Sequence, residues 1–149
     1  MQVKVTRRYA APIEEVFAAW TDAASMGAWM NVDPGPAHSV ELDVRVGGKF
    51  RIWMGRGKPE VEITGEYVEV QTPRRLVFTW SSFATGGVSL VTVNLSPAGT
   101  DATDVVLVHE QLPNAESARG HEAGWIKIAA RLAERWATNK ASQHTRRTP

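Results

Sequence analysis

His109 is the residue of this chain best placed to handle a proton. It falls in phase with Val105 and Leu107 in the alternating run VVLVHE, so its imidazole points inward among apolar neighbours. An imidazole titrates near neutrality and can give or accept a proton there. Equally, a buried histidine can be satisfied by a neighbour or a water and do no chemistry. Tyr67, inward by the same alternation in its own strand, could donate to the same ligand, so His109 and Tyr67 are the candidate acid–base residues. Glu110 follows His109 but points to the opposite face, which argues against a dyad between them. His121 and Glu122 begin an H-E pair on a helix, yet position 125 is Trp where a zinc protease needs its second histidine. With 4 scattered histidines and no cysteine, no metal site is expected. Neither G-x-S-x-G nor a phosphate-binding loop occurs, and no cofactor is expected.

The second chemical resource is aromatic surface. The 6 tryptophans in 149 residues are many for a small chain, and each offers a large apolar face with one N–H at its edge. Trp29, Trp80 and Trp125 could line a pocket for a planar or hydrophobic molecule, or could be plain core. Trp53 is out of phase with Met54 and belongs on the outer face or a rim, while Trp20 and Trp136 read as packing.

These side chains must be held by elements, and the periodicities say which. The opening alternation is followed by Pro12, a residue suited to a first helical turn, and by Glu14 and Glu15 at the positive end of the helix dipole. Ile13, Val16, Phe17 and Trp20 recur at helical spacing, and Asp22 can cap a second short helix that carries Trp29. From Ser39 the period becomes two. Val40, Leu42, Val44 and Val46 alternate with Glu41, Asp43 and Arg45 up to a hairpin at Gly47-Gly48. Asp43 and Arg45 share the outer face and suit a salt link there. Phe50, Ile52 and Met54 return, a turn follows at Gly55 to Pro59, and Ile63 and Tyr67 lie on the inner face of the next run. Leu76, Phe78 and Trp80, then Val91 and Val93, then Leu107 and His109 continue that inner face through turns at Thr72-Pro73-Arg74, Gly86-Gly87 and residues 97–101. Six strands joined by short turns make an antiparallel meander whose apolar face must be covered. The helix from Glu116 to Thr138 does this with one stripe, His121, Trp125, Ile128, Leu132 and Trp136, leaving Lys127, Arg131 and Glu134 to solvent.

Length and composition describe one ordinary domain, residues 1–138, and the polar, patternless segment 139–149 is expected to be a flexible tail. The net charge of +1 includes three basic residues after Trp136 with no acid among them, and the near-neutral body that remains argues against a nucleic-acid surface. MQVKVTRR is not an apolar leader, and no apolar run approaches the ~20 residues that span a bilayer. The expectation is a cytoplasmic protein with no membrane partner, a monomer or homodimer.

Four segments carry a family likeness: R-x-Y-x-A-P-x-E-x-V-F-x-A-W-T-D from Arg7 to Asp22, D-V-R-V-G-G-K-F from Asp43 to Phe50, G-E-Y-V-E-V with P-R-R-L-V-F-T-W between Gly65 and Trp80, and G-W at Gly124-Trp125. Together they span nearly the whole chain, which resembles the single-domain homologues of the heat-shock-protein-90 ATPase activator in the START/SRPBCC superfamily. The resemblance implies an α+β helix-grip fold, birch-pollen-allergen-like, of order β-α-α-β6-α. A curved seven-stranded antiparallel sheet would wrap the long C-terminal helix around an internal cavity. It also implies binding of a small hydrophobic or aromatic molecule in that cavity, with Trp29, Phe50, Ile52, Met54, Ile63, Tyr67, Phe78, Trp80, Val91, Val93, Leu107, His109, Trp125, Ile128 and Leu132 as candidate lining. Two other readings stay open: a cyclase or dehydratase acting on a polyketide-like substrate through His109 and Tyr67, and a co-chaperone-like protein-interaction module.

Overall fold

The computed structural model describes residues 1–33, 35–37, 39–55 and 61–147, with side chains as far as Trp136. In chain order the elements are β1 (Val3–Tyr9), α1 (Ile13–Thr21), α2 (Ala23–Trp29), β2 (Ser39–Leu42), β3 (Lys49–Met54), β4 (Val61–Gln71), β5 (Arg75–Ser82), a single 3-10 turn (Phe83–Thr85), β6 (Gly87–Pro97), β7 (Thr103–Glu110) and α3 (Ala115–Arg147). All seven strands form one antiparallel sheet in the order β1-β7-β6-β5-β4-β3-β2. Sequential strands pair as a meander, and β1 closes against β7 with Val5 opposite Leu107 and Val3 opposite His109.

The inner face is the one that the alternation predicts. Phe50, Ile52, Met54, Ile63, Tyr67, Leu76, Phe78, Trp80, Val91, Val93, Leu107 and His109 are all buried. Trp125, Ile128, Leu132 and Trp136 of α3 join them in one core with Val16, Phe17 and Trp20 of α1 and Met26 and Trp29 of α2. Burying each of these large side chains is worth roughly 1.5–3 kcal/mol, so the stripe on α3 alone anchors the helix firmly. Tyr9 adds direction: its hydroxyl donates to the Ala129 carbonyl at 3.1 Å, and its ring meets Trp136 edge-on at 5.7 Å. The outer face carries charge. Arg8 makes a two-pronged bond to Asp104 across β1 and β7, and Arg51 pairs with Glu62 across β3 and β4. Trp53 is half-buried on this outer side.

Three local expectations change. The strand expected to run to Val46 ends at Leu42, and Val46 is exposed. The chain there leaves the ladder because Arg45 N–H bonds back to the Asp43 carbonyl while the Arg45 guanidinium grips the Asp43 carboxylate at 2.9–3.0 Å. The tip then crosses onto β4: Gly47 N–H donates to the Tyr67 carbonyl, and Tyr67 N–H donates to the Gly48 carbonyl. Second, Arg131 is half-buried rather than solvated, because its guanidinium donates to the Gly35 carbonyl at 2.6 Å. Third, α3 continues past Thr138 to Arg147 along the segment read as a tail, with its side chains there outside the described residues. The expected turn at Gly55 to Pro59 likewise falls, from residue 56 on, outside the described residues.

Candidate functional site

Sheet and helix do not close completely. Between the ends of β3, β4 and β5 and the first half of α3 lies an open cavity of about 480 Å³. Its floor is apolar: Met54 of β3, Val61 and Ile63 of β4, Trp80 of β5, Trp125 and Ile128 of α3, and Val32 from the loop after α2. Its lip is mixed, with Ser82, Phe83 and Ala84 on one side and Asn114, Glu116, Ser117, Gly120 and His121 on the other. Residues 117, 120, 121, 124, 125 and 128 form one stripe down α3. Two of them are glycines, and that is why there is room. A Cβ placed on Gly120 would meet nothing within 4 Å, and one on Gly124 would touch only Val32 at 3.5 Å.

The lip is built, not loose. Ser82 and Thr85 cap the 3-10 turn reciprocally: Ala84 N–H donates to Ser82 Oγ, and Ser82 N–H donates to Thr85 Oγ1. Ser117 Oγ donates to the Ala84 carbonyl at 2.9 Å and so joins the turn to α3. Asn114 Oδ1 accepts from Ser117 N–H at 2.8 Å, capping the helix start. Phe83 is held there 79 % exposed. On the opposite rim Asn31 is fully buried; its Nδ2 donates to the Pro36 carbonyl and its Oδ1 accepts from Asp33 and Gly55 N–H, which fixes Val32 over Gly124.

Behind the floor runs a buried polar chain. Trp125 Nε1–H donates to His109 Nδ1 at 3.0 Å, and His109 Nε2 lies 2.7 Å from Ser89 Oγ, which donates to the Trp80 carbonyl. An indole nitrogen can only donate, so His109 Nδ1 must accept and the proton of the neutral ring sits on Nε2. The chain is then satisfied at each link from His109 through Ser89 to Trp80. Charging the ring would set two N–H groups against each other at Nδ1. Burial, with a smaller contribution from nearby His121, pushes the His109 pKa down to about 3. Tyr67 lies elsewhere, packed between Phe50 and Phe78, and burial pushes its hydroxyl pKa well above the ordinary tyrosine value.

Of the candidate lining residues, Met54, Ile63, Trp80, Trp125 and Ile128 meet at the cavity. His109 sits one layer behind it. Phe50, Ile52, Tyr67, Phe78, Val91, Val93, Leu107 and Leu132 pack in the core. Trp29 is core as well, its Nε1 donating to the Ala19 carbonyl and its ring meeting Trp20 edge-on at 4.8 Å. Helical spacing puts His121 on the core stripe of α3, whereas in the structure it lines the cavity. Its phase with Trp125 marked it, and the small residues Ser117, Gly120 and Gly124 on the same stripe were the signal of open space beside it. Among the described residues no three His, Asp or Glu side chains gather closely enough to hold a metal ion.

A curved seven-stranded antiparallel sheet gripping a long C-terminal helix, with a cavity between them, defines the helix-grip class. The chain belongs to the family described as activator of Hsp90 ATPase homolog 1-like protein, whose model matches residues 10–137. Among solved structures it is similar to an HSP90 activator from Plasmodium falciparum, with 27% identity, 84% of this chain and 87% of that one covered, and a TM-score of 0.69. A protein of Rhizobium loti is 28% identical over 89% of this chain and 94% of that one, with a TM-score of 0.73. A Nitrosomonas europaea protein shares the fold at 20% identity, covering 95% and 97% of the two chains with a TM-score of 0.77. An uncharacterised Schizosaccharomyces pombe protein is 28% identical over 95 residues, 62% of this chain and 25% of that one, so the match spans about a quarter of that relative. No helix among the described residues is long and apolar enough to cross a membrane.

Proposed function

We propose that this protein binds a small hydrophobic or aromatic molecule in the cavity between the sheet and α3. One observation carries the reading: an apolar floor of about 480 Å³ kept open by Gly120 and Gly124 and rimmed by capped, hydrogen-bonded elements. That volume lies within the ~300–1,000 Å³ of typical small-molecule sites. An exposed Phe83 at the lip is a side chain that gains from a bound apolar partner. Binding without catalysis is favoured over acid–base work by His109 and Tyr67. The imidazole has both nitrogens engaged and is held neutral, and neither residue reaches the cavity. The Plasmodium neighbour's description as an HSP90 activator keeps a protein-interaction role as the second reading.

N-phenyl-1-naphthylamine, which brightens in apolar surroundings, tests the first reading. Saturable binding near one probe per chain is expected, together with a retained small molecule in native mass spectra of protein purified from its own host. Absence of saturable probe binding, with no retained mass, would contradict it.

A further inference from the structure

We propose that the cavity selects an aromatic hydroxyl compound, whose O–H donates to His121 Nε2. This rests on the cavity being a ligand site. His121 Nδ1 lies 2.8 Å from the Ser117 carbonyl, an acceptor only, so Nδ1 carries the proton of the neutral ring. Nε2 is then a lone-pair acceptor, and it has no hydrogen-bond partner among the described residues. Nor is it sealed in the core: the buried side-chain nitrogen without a partner there is Trp20 Nε1, not His121. His121 lines the cavity, which makes that lone pair the acceptor offered to a ligand there.

Three other polar atoms of the rim already have protein partners. Ser117 Oγ donates to Ala84, Asn114 Oδ1 accepts from Ser117, and Ser82 Oγ accepts from Ala84. Glu116 is exposed, so its carboxylate exchanges water for ligand at little gain. The half-buried imidazole is where a donated hydrogen bond discriminates most. The aromatic part of the class follows from the walls. Trp80 and Trp125 pack against each other, ring centroids 4.9 Å apart at 50°, and together give the cavity an aromatic wall for another ring to lie against, with Phe83 exposed at the lip. Ring contacts also hold His121 itself, whose ring meets that of His109 edge-on at 4.7 Å.

The test compares 2-naphthol with 2-methylnaphthalene as competitors of N-phenyl-1-naphthylamine. Hydroxyl and methyl are close in size, and an unpartnered hydroxyl binds an apolar pocket less well than methyl. Wild-type protein is expected to prefer 2-naphthol by about tenfold, one good hydrogen bond's worth. His121→Leu should erase or reverse the preference, while His121→Gln, which keeps an acceptor, should retain part of it. Should His121→Leu fail to fold, the wild-type nitrogen spectrum decides: 2-naphthol should shift His121 Nε2 and 2-methylnaphthalene should not. The proposal is overturned if methylnaphthalene binds as tightly as naphthol, if the preference survives His121→Leu, or if Nε2 does not respond. It is also overturned if the probe binds and neither competitor displaces it. Failure of the probe itself to bind overturns the cavity reading instead.

Discussion

Trp125 and Ser89 together decide what His109 can be. The indole N–H forces His109 Nδ1 to accept, and burial keeps the ring uncharged, so the folded chain refuses a proton that the unfolded chain takes up. The sign follows from that difference. With the folded pKa near 3 and an unfolded value near 6.5, the unfolded state binds more protons throughout that window, and stability falls as pH falls through it. Between pH 6.5 and 5 the loss from this residue should be roughly 1–2 kcal/mol, since the unfolded imidazole is already half protonated at the upper end. Denaturant titrations at the two pH values measure it, and His109→Gln should flatten the slope over the same window. Equal slopes for the two proteins would show that His109 is not held neutral. Alternation alone points this imidazole inward and leaves acid–base work and structural satisfaction both open. Only the partners on β6 and α3, remote in sequence, distinguish them.

Alternation made most of the sheet legible, because one buried face forces a strict period in every strand. Where backbone and charge compete with that period it misled: Val44 and Val46 continue the pattern, but the Asp43–Arg45 grip turns the chain away from the ladder. Gly65 shows what else the period hides. A Cβ there would lie 2.1 Å from the Thr79 carbonyl oxygen and 2.3 Å from the Phe50 ring, so β3, β4 and β5 approach as they do only because position 65 is bare. Gly65→Ala should therefore destabilise the fold by roughly 1–3 kcal/mol, the usual range for overpacking, although alanine is otherwise the better-ordered residue. A denaturant midpoint unchanged from wild type would mean the strands can part there without cost. On α3 the large residues of the stripe could be read as core. The cavity beside them was not legible, since an opening is set by what is missing from several elements at once.

Taken whole, the molecule is a packed aromatic core with one place left unfilled. The family likeness accounts for the grip of sheet on helix; the choice of occupant rests with the side chains at the opening. Gly120 is the position where the two can be separated, because open space faces its missing Cβ and a larger side chain can enter without disturbing the core. Gly120→Ala should, as a control, raise stability by up to about 1 kcal/mol through helix propensity while leaving most of the cavity open. The most direct measurement is a titration of N-phenyl-1-naphthylamine into wild type and Gly120→Phe, with thermal melts of both. A cavity-binding protein should lose at least about tenfold in probe affinity in Gly120→Phe, about 1.4 kcal/mol, and still melt cooperatively near the wild-type temperature. Undiminished probe binding by a folded Gly120→Phe would contradict the cavity as the binding site.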